Sequence, residues 1–160
     1  MAPEGLLVIG YGNPLRGDDA AGPIAAERLA RQGFDVVAVH QLVPELAERV
    51  AAAHTVIFLD ADAAIAPGTI EIERIEQAAA PRAFEHHATP AGLLGLARTA
   101  YAAQPEAWLI RMGGASFEFG DALSAAAEHA IARTEALVGQ AGSLRRIGNP
   151  PDAAGFPAGW

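Results

Sequence analysis

Carboxylate and imidazole side chains at three places define the chemistry open to this 160-residue chain. They are Asp18-Asp19, Asp60 with Asp62 two residues on, and His86-His87. Oxygen and nitrogen donors without sulfur suit a divalent transition metal held with open coordination positions. Nickel, zinc, manganese and cadmium all fit that donor set. A pair of acids also suits aspartic-type catalysis, provided they lie close enough to share a proton. Each group has a plain structural reading as well. Acids at a helix start cap it and complement its dipole, a lone Asp after a strand can cap a loop, and surface histidines usually do nothing. Asp60 resists that reading most, because it ends an apolar run where an unpaired carboxylate is costly to bury.

Other chemistries find little support. With no cysteine in the chain, disulfides, thiolate nucleophiles and Cys-based zinc sites are excluded. There is no Gly-x-Ser-x-Gly elbow, and nothing near Ser116 marks it as a nucleophile. Gly10-Tyr11-Gly12 departs from a dinucleotide fingerprint. Pro14, Leu15 and Arg16 delay the third glycine, and two acids stand where a pyrophosphate would bind. The net charge is -8 and the basic residues are all arginine, Arg145-Arg146 being the nearest thing to a cluster. That balance argues against a nucleic-acid partner. No apolar run reaches the ~18 residues of a membrane span. Met1 to Glu4 reads as no signal peptide, so a cytoplasmic location is expected, and the absence of cysteine is compatible with it.

The elements that must position these groups alternate between strand and helix. Gly5–Gly10, Phe34–Val39, Thr55–Leu59 and Ala107–Arg111 read as strands, most of them apolar throughout. Gly68–Ile75 alternates Ile with charged residues, as an edge strand with one wet face does. Helices are expected over Asp18–Gln32 with Gly33 at its end, Pro44–Ala53, a stretch opened by Thr89-Pro90, and Ala122–Val138. The implied fold is α/β: one three-layer domain with a mostly parallel, five-stranded twisted sheet flanked by helices. Residues 1–139 are expected to form the domain and 140–160, rich in Gly and Pro, a flexible tail. Ligands bind beyond the C-terminal ends of the strands in such sheets, where all three groups fall.

The run Val8-Ile9-Gly10-Tyr11-Gly12-Asn13-Pro14-Leu15-Arg16-Gly17-Asp18-Asp19-Ala20-Ala21-Gly22 resembles the first motif of the hydrogenase maturation proteases. In that family a strand leads to Gly-x-Gly-Asn, a few apolar residues and an acidic pair opening a helix. Ile57-Phe58-Leu59-Asp60-Ala61 resembles the second motif, and a His upstream of Leu93-Leu94-Gly95-Leu96-Ala97 the third. Gly120-Asp121-Ala122-Leu123-Ser124 before the last helix is also similar, so the resemblance spans roughly residues 5 to 139. It implies Asp19, Asp60 and His86 as the metal-recognising and catalytic residues, with Asp60 preferred to Asp62 and His87 fitting one residue off. It implies an endopeptidase that trims the C-terminal extension of a nickel-containing hydrogenase large-subunit precursor. The nickel would be the client's own, although another divalent metal is compatible. The client precursor is the expected partner, met by a monomer. Two loops depart from the family pattern, His40–Leu46 and Met112–Gly120. They keep open a non-catalytic module that binds a metallocentre during assembly; a metal-dependent hydrolase of a small substrate is the other alternative.

Overall fold

The computed structural model describes residues 3–76, 89–120 and 122–147, the last seven of them as backbone only. Strands β1 (Leu6–Tyr11), β2 (Asp35–Val39), β3 (Thr55–Asp62), β4 (Ile70–Arg74) and β5 (Glu106–Gly113) form one sheet in the order β2-β1-β3-β5-β4. The first four in that order are parallel; β4 runs antiparallel along β5 at the edge. Its exposed Glu71, Glu73 and Arg74 supply the wet face that the alternation implies. The α/β reading and the five-stranded, mostly parallel sheet are therefore those of the molecule.

Helices cover both faces. On one, Leu6, Val8, Ile57, Leu59, Trp108 and Ile110 meet α1 (Ala21–Arg31) and α4 (Ala125–Ile147) through Ala25, Leu29, Ala130 and Ile131. On the other, Leu7, Ile9, Val56 and Phe58 meet α2 (Ala47–Ala52) and α3 (Pro90–Tyr101) through Val50, Leu93, Leu94 and Ala97. Strands buried on both faces must read as continuous apolar runs, which is why β1 and β3 stand out in the sequence. Arg28 of α1 reaches Glu128 of α4 at 2.9 Å, a surface pair of small energetic weight.

Three boundaries differ from the sequence reading, each for a physical reason. β3 runs three residues past Leu59, because Asp60, Ala61 and Asp62 stay in register with Arg111, Met112 and Gly113 of β5. Asp18 and Asp19 do not open the α-helix. They lie in a 3-10 turn, Gly17–Ala20, ahead of α1. The N–H groups of Gly17 and Asp18 donate to Gly120 and Ser116 carbonyls instead. α4 begins at Ala125 and its backbone stays helical to Ile147, so the boundary expected at 139 falls inside it.

Gly22 lets α1 lie close on the sheet. A Cβ there would run into the Tyr11 carbonyl and come within 2.6 Å of the Leu59 carbonyl. Thr89 caps α3 as its sequence indicates, accepting the Gly92 N–H at 3.1 Å, with Pro90 at the first helical position. Thr89→Ala is expected to lower stability by about 1 kcal/mol, read as a drop of roughly 2–4 °C in melting temperature.

Candidate active site

The order of the strands turns at β1 and β3, with β2 outside one and β5 and β4 outside the other. A crevice at such a point is where open α/β sheets take ligands. Gly10 pairs with Leu59, so Tyr11 and Asp60 follow side by side at the tops of adjacent parallel strands. Alternation puts both on the face of Ile9 and Phe58. The Tyr11 ring packs on the core beneath, and its hydroxyl lies near the Asp60 carboxylate, whose ionised form it favours. The Ala61 N–H donates to Asp60 Oδ1 at 2.8 Å.

Asp19 reaches the same crest from the β1–α1 loop. The Asn13 N–H donates to its Oδ2 at 2.6 Å, and Asn13 Oδ1 accepts the Leu15 N–H at 2.9 Å, an Asx turn that shapes the loop. Gly12 passes directly over the Asp19 backbone, and a Cβ there would collide with the Asp19 carbonyl. Sequence and close approach together therefore fix where the Asp19 carboxylate stands.

The charge of Asp19 acts on Asp60. Burial pushes Asp60 up to about 6, and the charges of Asp19 and Asp62 add to that, against the Tyr11 and Ala61 donors. The Tyr11 phenol is held far above its usual range by burial first, then by Asp60 and Asp19, so it stays a hydrogen-bond donor. Asp62 is in a different state. Its Oδ2 lies 3.2 Å from Arg111 Nη1, and Arg111 also meets Glu71 at 3.2 Å and Glu73 at 3.5 Å. Among the described residues no arginine pairs with Asp19 or Asp60. A divalent cation fits such a pair, because its charge would offset the burial that chiefly raises Asp60 and the smaller repulsion from Asp19.

Asp18 has another place altogether. It is fully buried. Its Oδ2 accepts N–H groups from Ala115 at 2.7 Å and Ser116 at 3.0 Å and the Ser124 hydroxyl at 2.6 Å, and its Oδ1 accepts the Ser124 N–H at 2.8 Å. Burial opposes its ionisation, but the Ser124, Ser116 and Ala115 donors prevail and hold it below the usual carboxylate value. The same Ser124 hydroxyl accepts the Ala127 N–H at 3.1 Å at the start of α4. Asp18 thus makes no cap on its own helix and ties the β5–α4 loop to the β1–α1 turn.

His86 and His87 lie outside the described residues. Among those described, no three acidic or imidazole side chains gather as a ligand set. α3, whose N-cap is only two residues beyond His87, packs on the face that carries Tyr11 and Asp60. Its C-terminal Arg98 lines a cavity with Gln104–Ala107 at the start of β5. A 12-residue helix spans about 18 Å, which carries its N-terminus toward the crest. Two residues of this region escaped the sequence reading. Tyr11 gave no sign of its role until strand register placed it beside Asp60, and Ser124 stood out only as part of the run at the last helix.

No family model matches the chain, and no curated protein sequence does. Solved structures do match. The hydrogenase maturating endopeptidase HybD from E. coli is 26% identical, with 89% of this chain and 93% of that one covered and a TM-score of 0.65. The hydrogenase 2 maturation peptidase from Thaumarchaeota archaeon SCGC_AB-539-E09 is 25% identical, with coverages of 89% and 97% and a TM-score of 0.61. The [NiFe] hydrogenase maturation protease HybD from Thermococcus kodakarensis is 17% identical, with coverages of 86% and 98% and a TM-score of 0.68; at that identity it speaks to the fold. The fold is shared over nearly the whole length of these proteins, and with the identity to E. coli HybD this chain is similar to the hydrogenase maturation proteases in both structure and sequence.

Proposed function

We propose that this protein is the endopeptidase that removes the C-terminal extension of a nickel-containing hydrogenase large-subunit precursor. Asp19, Asp60 and His86 recognise the nickel that the client carries. The observation that carries this reading is the Asp19–Asp60 pair, set at the turn of the strand order without a described cationic partner. The client's nickel belongs to the substrate and supplies a Lewis acid beside the scissile bond. The chain's own residues hold the client so that this bond stands in register. Positioning of that kind can supply an effective molarity of ~10⁵ M or more. Hydrolysis then adds water to the scissile carbonyl, breaks the C–N bond and passes a proton to the leaving amine. The reaction is assigned to the cytoplasm and to a monomer. No helix among the described residues is long and apolar enough to cross a membrane.

The test is intact mass of a nickel-loaded precursor after incubation with the protein, with Asp19→Asn, His86→Ala and His87→Ala alongside. The unmodified protein and His87→Ala are expected to release one short C-terminal peptide. Asp19→Asn and His86→Ala are expected to lose activity by about 10²-fold or more, on the scale of removing one transition-state contact. A stable complex with no change in mass would replace the protease reading with that of an assembly-binding module. Equal cleavage of nickel-free precursor would remove the metal from recognition.

A further inference from the structure

Resting on that reading, we propose that Leu15, Arg16 and Phe119 form a docking patch beside the crevice. It receives an apolar segment of the client precursor that carries an acidic group. Among the described residues three large hydrophobic side chains are exposed, Leu15 at 52%, Tyr101 at 51% and Phe119 at 82%. Two of the three are brought to one place by the backbone. The Gly120 N–H donates to the Leu15 carbonyl at 2.7 Å, and the Gly17 N–H donates to the Gly120 carbonyl at 2.8 Å. These bonds make a parallel bridge between Arg16 and Gly120, so Leu15 and Phe119 each stand one residue before it. The Asp18 tether to Ala115 and Ser116 holds the same loop. Single exposed hydrophobics are ordinary on a surface, whereas neighbouring ones mark contact sites. The patch is also continuous with the site, because the Asp19 N–H donates to the Arg16 carbonyl at 3.1 Å. A folded client that brings its nickel to Asp19 covers these neighbouring residues too. Arg16 sets the polarity of what it meets. In a chain of net charge -8, it is exposed and has no ion pair among the described residues. A guanidinium flanked by apolar side chains matches a carboxylate beside an apolar residue, and aromatic residues and arginine are the types that dominate contact energetics. The plain alternative is a loop whose solvated side chains nothing covers.

Binding of nickel-loaded and nickel-free precursor to the wild type, Leu15→Ala, Phe119→Ala, Arg16→Gln and Asp19→Asn separates the two. The three patch variants change exposed side chains and keep every backbone bond of the bridge, so their melting temperatures should match the wild type and serve as the check on folding. Leu15→Ala and Phe119→Ala should each weaken binding of both precursor forms about tenfold, the scale of one large apolar side chain left in water. In cleavage, KM should rise by the same factor with kcat nearly constant. Arg16→Gln should weaken binding about threefold and make it less sensitive to added salt. Asp19→Asn should lose the preference for the nickel-loaded form and keep the contribution of the patch. If the patch variants bind as tightly as the wild type, and the wild type still cleaves, the docking patch is overturned and the protease reading stands. If the wild type binds without cleaving and the patch variants bind more weakly, the patch stands and the protease reading falls. If Phe119→Ala turns a dimer into a monomer in sedimentation and leaves precursor binding unchanged, a second copy of the chain covers the patch, and the proposal is overturned.

Discussion

Asp60→Asn is expected to abolish cleavage of the client and, in the same protein, to raise the melting temperature at pH 8 by about 5 °C. The gain follows from the sign of the Asp60 shift. Its folded value of about 6 lies above the unfolded one, so the folded state holds the proton more tightly. Stability is therefore highest while Asp60 is protonated in both states and falls as pH rises from about 4 through 6. Above that range the ionised acid costs roughly 2–3 kcal/mol, taking 1.36 kcal/mol per unit. Asn keeps the shape, can accept the Ala61 N–H as Asp60 does, and carries no charge to repel Asp19. The difference in melting temperature between mutant and wild type should be near zero at pH 4 and should open between pH 5 and 7. Roughly 2–4 °C per kcal/mol is usual for a domain of this size. A mutant that loses activity and stability together at pH 8 would show that Asp60 is part of the scaffold.

The second large effect is at the neighbouring acid pair, with the opposite sign. Asp18→Ala is expected to destabilise the fold by about 4 kcal/mol, the scale of breaking a buried charged network, and to lower the melting temperature by roughly 10 °C. Three backbone N–H groups and the Ser124 hydroxyl lose their acceptor at once, and each buried orphan costs about 1–3 kcal/mol. Because Asp18 is held below its ordinary value, its stabilising contribution is complete at neutral pH. It is lost only as pH falls through that depressed folded value. Thermal melts from pH 3 to 8 check this. The deficit of Asp18→Ala relative to wild type should be constant above about pH 5 and shrink in acid.

The opposite fates of Asp18 and Asp19 show where the sequence is legible and where it is not. Apolar runs such as Leu6–Tyr11 and Thr55–Leu59 announce buried strands, and Thr89-Pro90 announces a helix start, because burial and capping act over a few residues. The parallel sheet follows from their alternation with helices. Which of two adjacent acids enters the site is set by partners about a hundred residues away, Ala115, Ser116 and Ser124. No local pattern reports such contacts. The run of β3 past Leu59 has the same origin, since Arg111 on β5 neutralises Asp62 inside the ladder. Tyr11 looked like a loop residue because its place depends on register between strands more than forty residues apart.

Asp18 takes only main-chain groups from Ala115 and Ser116. The side chains at 115, 118 and 119 point to solvent, Phe119 with 82% of its surface exposed. The path of this loop is thus set by a carboxylate that is indifferent to what those positions carry, while Gly114, pressed against Asp18 and Phe117, has no such licence. Mutations can accumulate at the three outward positions without disturbing Asp19 one residue beyond the anchor. Variation along this rim can therefore proceed without moving the turn that carries Asp19.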